Sequence, residues 1–223
     1  MQPSVPQADS RHPLTRLLGN GGNIRVLRAL AADDQPLSVT QLAERCGLTP
    51  QGTRLALEPL VEGRLVKLLG GARSRLFTID PRHPFAKPVR TLFAQEQTQW
   101  ERLLQGLRGL LHRERDVIAA WYVEAAAGDE AGALRSLPVW LVLSEGPVEP
   151  FVTACRERYA ALEQGSWTDC TLRGVSLADL LALSADPIWW KAQTSQARPL
   201  KGLDPSVLVL RSRKPAQAAL FGP

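Results

Sequence analysis

The spacing of apolar residues changes several times along these 223 residues, and each change predicts an element. In NIRVLRALAA the positions Ile24, Leu27, Leu30 and Ala31 lie three or four apart, which predicts a helix from Ile24 with one buried stripe. Asn20-Gly21-Gly22-Asn23 ahead of it predicts a break, and residues 1–19 read as a polar lead-in. Asp33 to Pro36 predict a turn and Leu37-Ser38-Val39 a minimal strand.

The next stretch carries stop and start signals in close order. Ser38 and Gln41 stand in the relation of a capping box, and Leu42, Ala43 and Cys46 give the helix after them an apolar face. Gly47 is a C-terminal stop, Leu48 can fill the angle between helices, and Thr49-Pro50 supplies a cap and first-turn proline for a second helix, Pro50 to about Glu62. That helix can bury Thr53, Ala56, Leu57, Leu60 and Val61, leaving Gln51, Gly52, Arg54 and Leu55 outside near its N-terminus. Pro59 removes the hydrogen bond to Leu55 and predicts a kink or an early end. RLVKLL and SRLFTI around a glycine turn predict a hairpin, with Lys67, Arg73 and Arg75 on or beside its tip.

Beyond the hairpin, IDPRHPFAKP is proline-rich and predicts a boundary. From about Val89 to Arg113 the apolar residues Leu92, Phe93, Trp100, Leu103, Leu104, Leu107, Leu110 and Leu111 predict a long amphipathic helix, serving either as core or as a dimer seam. VIAAWYV (117–123), VWLVL (139–143) and DCTLRGV (from Asp169) are of buried-strand type. A helix lined by Phe151, Cys155, Tyr159 and Leu162 lies between the last two. Ser176 caps a helix burying Leu177, Leu180 and Leu181, and another begins near Pro187. The fold class is therefore α/β (α+β), with a basic tail over 211–223.

Composition narrows the function. A hydrophobic share of 44% with 22% charged residues suits a globular protein, and no apolar run nears the roughly 20 residues of a membrane span, so a cytoplasmic location is expected. Cys46, Cys155 and Cys170 are far apart and none has a histidine at ligand spacing, which predicts buried thiols and no metal. The net charge of +5 is uneven. Residues 1–84 carry eleven Lys/Arg against seven Asp/Glu, residues 85–115 six against three, and residues 116–223 ten against twelve. The excess sits with the paired helices and suits a polyanionic partner. His12, His83 and His112 have no evident catalytic partner.

The helix, tight turn, helix and hairpin, with LTPQGTRLALEPLVEGRLVKLL at their centre, resemble the winged helix-turn-helix of bacterial transcriptional regulators over roughly residues 20–80. The resemblance implies that double-stranded DNA is the partner. Gln51, Gly52, Thr53, Arg54 and Leu55 would then enter the major groove, while Lys67, Arg73 and Arg75 would meet phosphates.

Residues 81–203, through AAWYVEAAAGDEAGALRSLPVWLVLSE and SADPIWWKAQTSQARPLKG, resemble the small nucleotidyltransferase domain that some bacterial proteins carry behind a winged helix. That family needs a Gly-Ser pair after the first strand to hold a triphosphate, and an Asp-x-Asp at the start of the returning strand to bind two Mg²⁺ ions. The matching positions here are Glu124-Ala125 and Ser136-Leu137-Pro138, and the nearby Asp129 and Glu130 read as a surface turn. The resemblance therefore implies a domain without catalytic residues, metal or cofactor, left to dimerisation, partner binding or the sensing of an unknown effector. The expected layout is a lead-in (1–19), winged helix (20–80), linker and long helix (81–115), nucleotidyltransferase-like domain (116–210) and tail (211–223). The alternatives are a winged-helix protein-interaction module and an active nucleotidyltransferase.

Overall fold

The computed structural model describes residues 20–71, 75–123, 136–163 and 168–218. They form two compact units that divide between Trp100 and Glu101.

The first unit opens with α1 (Gly21–Ala31), α2 (Val39–Cys46) and α3 (Pro50–Glu62). The break expected at Asn20-Gly21-Gly22-Asn23 is instead the start of α1. The Asn20 side chain accepts from the N–H groups of Gly22 and Asn23, and this cap outweighs the poor helix propensity of two glycines. Val26, Leu27 and Leu30 are buried along it. The capping box on α2 forms in both directions: Ser38 N–H donates to Gln41 Oε1 at 2.9 Å and Gln41 N–H to Ser38 Oγ at 3.3 Å. Gly47 then ends α2 at φ 62°, where a side chain would be strained. Pro59 does not end α3 early; the helix runs through it to Glu62, at the loss of the one hydrogen bond to Leu55 O.

A three-stranded antiparallel sheet completes the unit, in the order β1 (Leu37–Ser38), β3 (Leu76–Ile79), β2 (Val66–Leu69). Phe77 and Ile79 are buried against the helices together with Leu42, Cys46, Ala56, Leu57 and Val66. Ala86 and Phe93, from the first turns of α4 (Ala86–Arg113), belong to the same cluster, so this core reaches beyond residue 80.

The second unit is built on a four-stranded mixed sheet of order β6-β5-β4-β7. These strands are β4 (Val117–Val123), β5 (Ser136–Leu143), β6 (Asp169–Ser176) and β7 (Ala197–Lys201). Strand β5 runs antiparallel to β4 and parallel to β6, and α5 (Val148–Glu163) makes the crossover that parallel pairing requires. Gly174 lets α5 lie close to the sheet: a Cβ there would stand 2.4 Å from Val152 and 2.5 Å from Val148. Trp121, Trp140, Val142 and Val175 pack on Leu180, Leu208 and Val209 from α6 (Leu177–Leu183) and α8 (Pro205–Ala218), with Trp189 of α7 (Pro187–Thr194) set edge-on to Trp140. Strand β7 has no counterpart among the expected elements, and in place of the tail expected from residue 211, α8 runs to Ala218.

The stripe on α4 offers no free seam. Trp100, Leu103, Leu104, Leu107 and Leu111 are all buried within the single chain, while Leu92 and Leu110 stay partly exposed.

Candidate nucleic-acid interface

Helix α3 is capped so that its first turn points outward. Thr49 Oγ1 accepts from Gly52 N–H at 3.0 Å, Thr49 O accepts from Thr53 N–H at 2.9 Å and Pro50 takes the position where no N–H is needed, so the cap leaves the Gln51 N–H of the first turn without a helix partner. Gly52 suits this cap, since a Cβ would sit 3.2 Å from the Thr49 hydroxyl. Gln51, Arg54, Leu55 and Glu58 are exposed on one face, while Ala56 and Leu57 are buried on the other. Leu55 stands out at 55% exposure, because an apolar side chain on a polar helix face gains nothing from water.

Thr53 must be removed from the expected contacts. It is fully buried, and its hydroxyl donates to Thr49 O at 3.0 Å, tightening the turn from the core side. Lys67 is also misplaced in the sequence reading. It pairs with Thr78 near the root of the β2–β3 hairpin, and its Nζ lies 3.9 Å from the Asp80 carboxylate, because the turn is long and β2 extends two residues past it. Arg75 is exposed just before β3, on the tip side; Arg73 lies outside the described residues.

Two residues of this surface escaped the sequence reading. Glu58 is exposed one turn beyond Arg54 and sets a negative charge on the same face. Arg64, exposed between α3 and β2, has φ 58°, whereas Gly63 before it keeps a right-handed φ of −71°.

In the second unit Ser136, Leu137 and Pro138 form the start of β5, opposite Asp169, Cys170 and Thr171 of β6. Leu137 is fully buried, and the Ser136 and Thr171 hydroxyls share a hydrogen bond. Glu124, Ala125, Asp129 and Glu130 lie outside the described residues. Among the described residues no three His, Cys, Asp or Glu side chains are placed to hold a metal ion. His83 Nδ1 accepts from Phe85 N–H at 3.2 Å, and His112 Nδ1 lies 3.1 Å from Arg108 O, each a local backbone contact. Cys46, Cys155 and Cys170 are buried and in no disulfide, and the Tyr159 hydroxyl donates to Cys170 Sγ at 2.7 Å. No described helix is long and apolar enough to cross a membrane.

No curated protein matches the chain. Among solved structures, a Staphylococcus aureus MarR is 20% identical over 40% of this chain and 61% of its own, with a TM-score of 0.31. The Shewanella oneidensis complex of a tri-AMPylated HEPN toxin with MNT antitoxin gives 13% identity, 53% and 87% coverage and a TM-score of 0.33. Human N-acetylserotonin methyltransferase gives 18%, 44%, 31% and 0.26. Overlaps of that size are local and carry no functional argument. Residues 24–69 match the family model of the IclR helix-turn-helix domain, and with β3 completing the hairpin the first unit is a winged helix-turn-helix, the module with which such regulators bind DNA.

Proposed function

We propose that the protein is a transcriptional regulator that binds double-stranded DNA as a homodimer, with the N-terminal half of α3 in the major groove. The observation that carries this is the split of α3 into a buried face and an outward face bearing Gln51, Arg54 and Leu55 behind an uncovered helix N-terminus. Arg54 is the cation positioned for a guanine edge, while Arg75 and Arg64 lie where they can meet phosphates. The second unit is a nucleotidyltransferase-like domain without activity, retained for dimerisation or for binding a partner or effector. Its support is the neutral Ser136-Leu137-Pro138 at the start of β5, where a metal-dependent transferase needs carboxylates. Burial of Trp100, Leu103, Leu107 and Leu111 within one chain supports the α4 stripe as core rather than as the dimer seam.

Selection of bound duplexes from a random pool tests the reading. A palindrome with half-sites about one helical turn apart supports both DNA reading and the dimer. A pool with no enrichment and no salt-dependent binding would favour the protein-interaction alternative.

A further inference from the structure

A cavity of about 440 Å³ lies where the C-terminal half of α1, the last turn of α2 and the first turns of α4 come together, and none of the proposed DNA contacts lines it. That volume is at the lower end of the range of small-molecule sites, roughly 300–1,000 Å³. Its lining has two parts: an apolar wall including Ala31, Ala94 and Phe93, and the side chains of Arg28, Arg45 and Arg90 against the single carboxylate of Glu96.

The arginines are not equivalent. Arg28 is committed, since Glu96 takes both its Nε and its Nη2 in a buried pair. Arg45 holds Asp33 at 2.7 Å with nearly half its side chain exposed. Arg90 donates to Ala31 O at 3.0 Å and to Asp34 Oδ1 at 3.1 Å, and the Asp34 side chain is 92% exposed. An ion pair with so solvated a partner is worth about 0–1 kcal/mol, so another carboxylate can replace Asp34 at little cost, while Arg45 keeps the more sheltered Asp33 and adds its positive charge to the opening. A neutral molecule gains only hydrogen bonds from these guanidinium groups, whereas a carboxylate gains charge-assisted ones. An apolar body on the entering anion would displace water from the alanine wall.

We propose that this cavity is a binding site for a small organic carboxylate, with Arg90 and Arg45 holding the carboxylate and the wall around Ala31, Ala94 and Phe93 holding the apolar body. The site stands independently of the DNA reading.

Calorimetric titration of the full chain with cyclohexanecarboxylate, and with its neutral amide as control, tests it. Saturable binding of the acid is expected, with the amide weaker by about tenfold or more. Arg90→Gln and Arg45→Gln should each weaken the acid severalfold and leave the amide unchanged. Ala94→Trp, at an exposed position on the rim, should fill the opening and remove binding of both. The proposal is overturned if the acid gives no saturable binding, if acid and amide bind alike, or if Ala94→Trp binds the acid as the wild type does.

Discussion

Arg28 and Glu96, 68 residues apart in sequence, meet in a buried two-point ion pair, Nε to Oε2 at 2.7 Å and Nη2 to Oε1 at 3.2 Å. The guanidinium also lies over the Phe93 ring, 5.1 Å from its centre. Burial lowers the Arg28 pKa from its ordinary value, and its hydrogen bonds to the Glu96 carboxylate oppose that shift. Glu96→Ala therefore leaves a buried cation without its carboxylate and should cost roughly 3–5 kcal/mol. The double change Arg28→Met with Glu96→Leu removes both charges and should cost much less. Urea unfolding of the two variants decides the matter; equal losses would mean that the pair adds nothing beyond packing.

DNA affinity measured against salt separates two roles on the interface. Arg54→Ala should lose about 1–3 kcal/mol at the selected site and relax preference at one or two base pairs. Arg75→Ala should weaken all duplexes alike and reduce the salt slope by about one. If neither change has an effect, α3 and the hairpin do not touch DNA.

The left-handed backbone of Arg64 makes a separate prediction. That conformation costs a side-chain-bearing residue on the order of 1 kcal/mol, which Arg64→Gly should recover in thermal or urea unfolding. The same variant should bind duplexes less tightly, because the strain holds a cation between α3 and the hairpin. A variant with both stability and affinity unchanged would count against the strain and the contact together.

Burial pushes the Cys46 thiol up from 9.0 to about 11, against the pull of Arg25, Arg28 and Arg45. Below pH 9 both folded and unfolded states keep this proton, so the thiol's contribution is fully present. Above pH 9 the unfolded chain deprotonates first, and stability falls until the folded thiol titrates near pH 11, by about 2–3 kcal/mol in all. Cys46→Ala should be less stable at neutral pH but should lose less between pH 9 and 11. Parallel losses in wild type and variant would place the alkaline sensitivity elsewhere.

Incubation with labelled nucleoside triphosphates and Mg²⁺ or Mn²⁺ should give no pyrophosphate and no labelled protein or nucleic acid. Turnover that disappears on changing Glu124, Asp129 or Glu130 would show that acids outside the expected motif hold the metal.

What was legible in the sequence was local. Ser38 with Gln41, Gly47, and Thr49 with Pro50 fix their helix ends through contacts within three or four residues, and the structure places each as expected. The outward face of α3 followed from a single period. What failed depended on distant partners. Glu96 reads as a solvated helix residue until Arg28 is set beside it. Strand β7 contains Arg198 and Pro199 and becomes a strand only through pairing with β4. Asn20-Gly21-Gly22 misled in the opposite sense, because a side-chain cap decided a helix start that propensity opposed. Lys67 was misassigned because the register of the hairpin, unlike its existence, is not written in its glycines.

Gly174 bears on how this chain can vary. With Val148 and Val152 pressed against the strand where a methyl group would stand, an alanine at 174 would have to move α5 or shrink one of those valines. Relatives that keep this crossover should therefore change the three positions together or not at all. Such linked substitution would identify the second unit in chains whose winged helix has diverged beyond recognition.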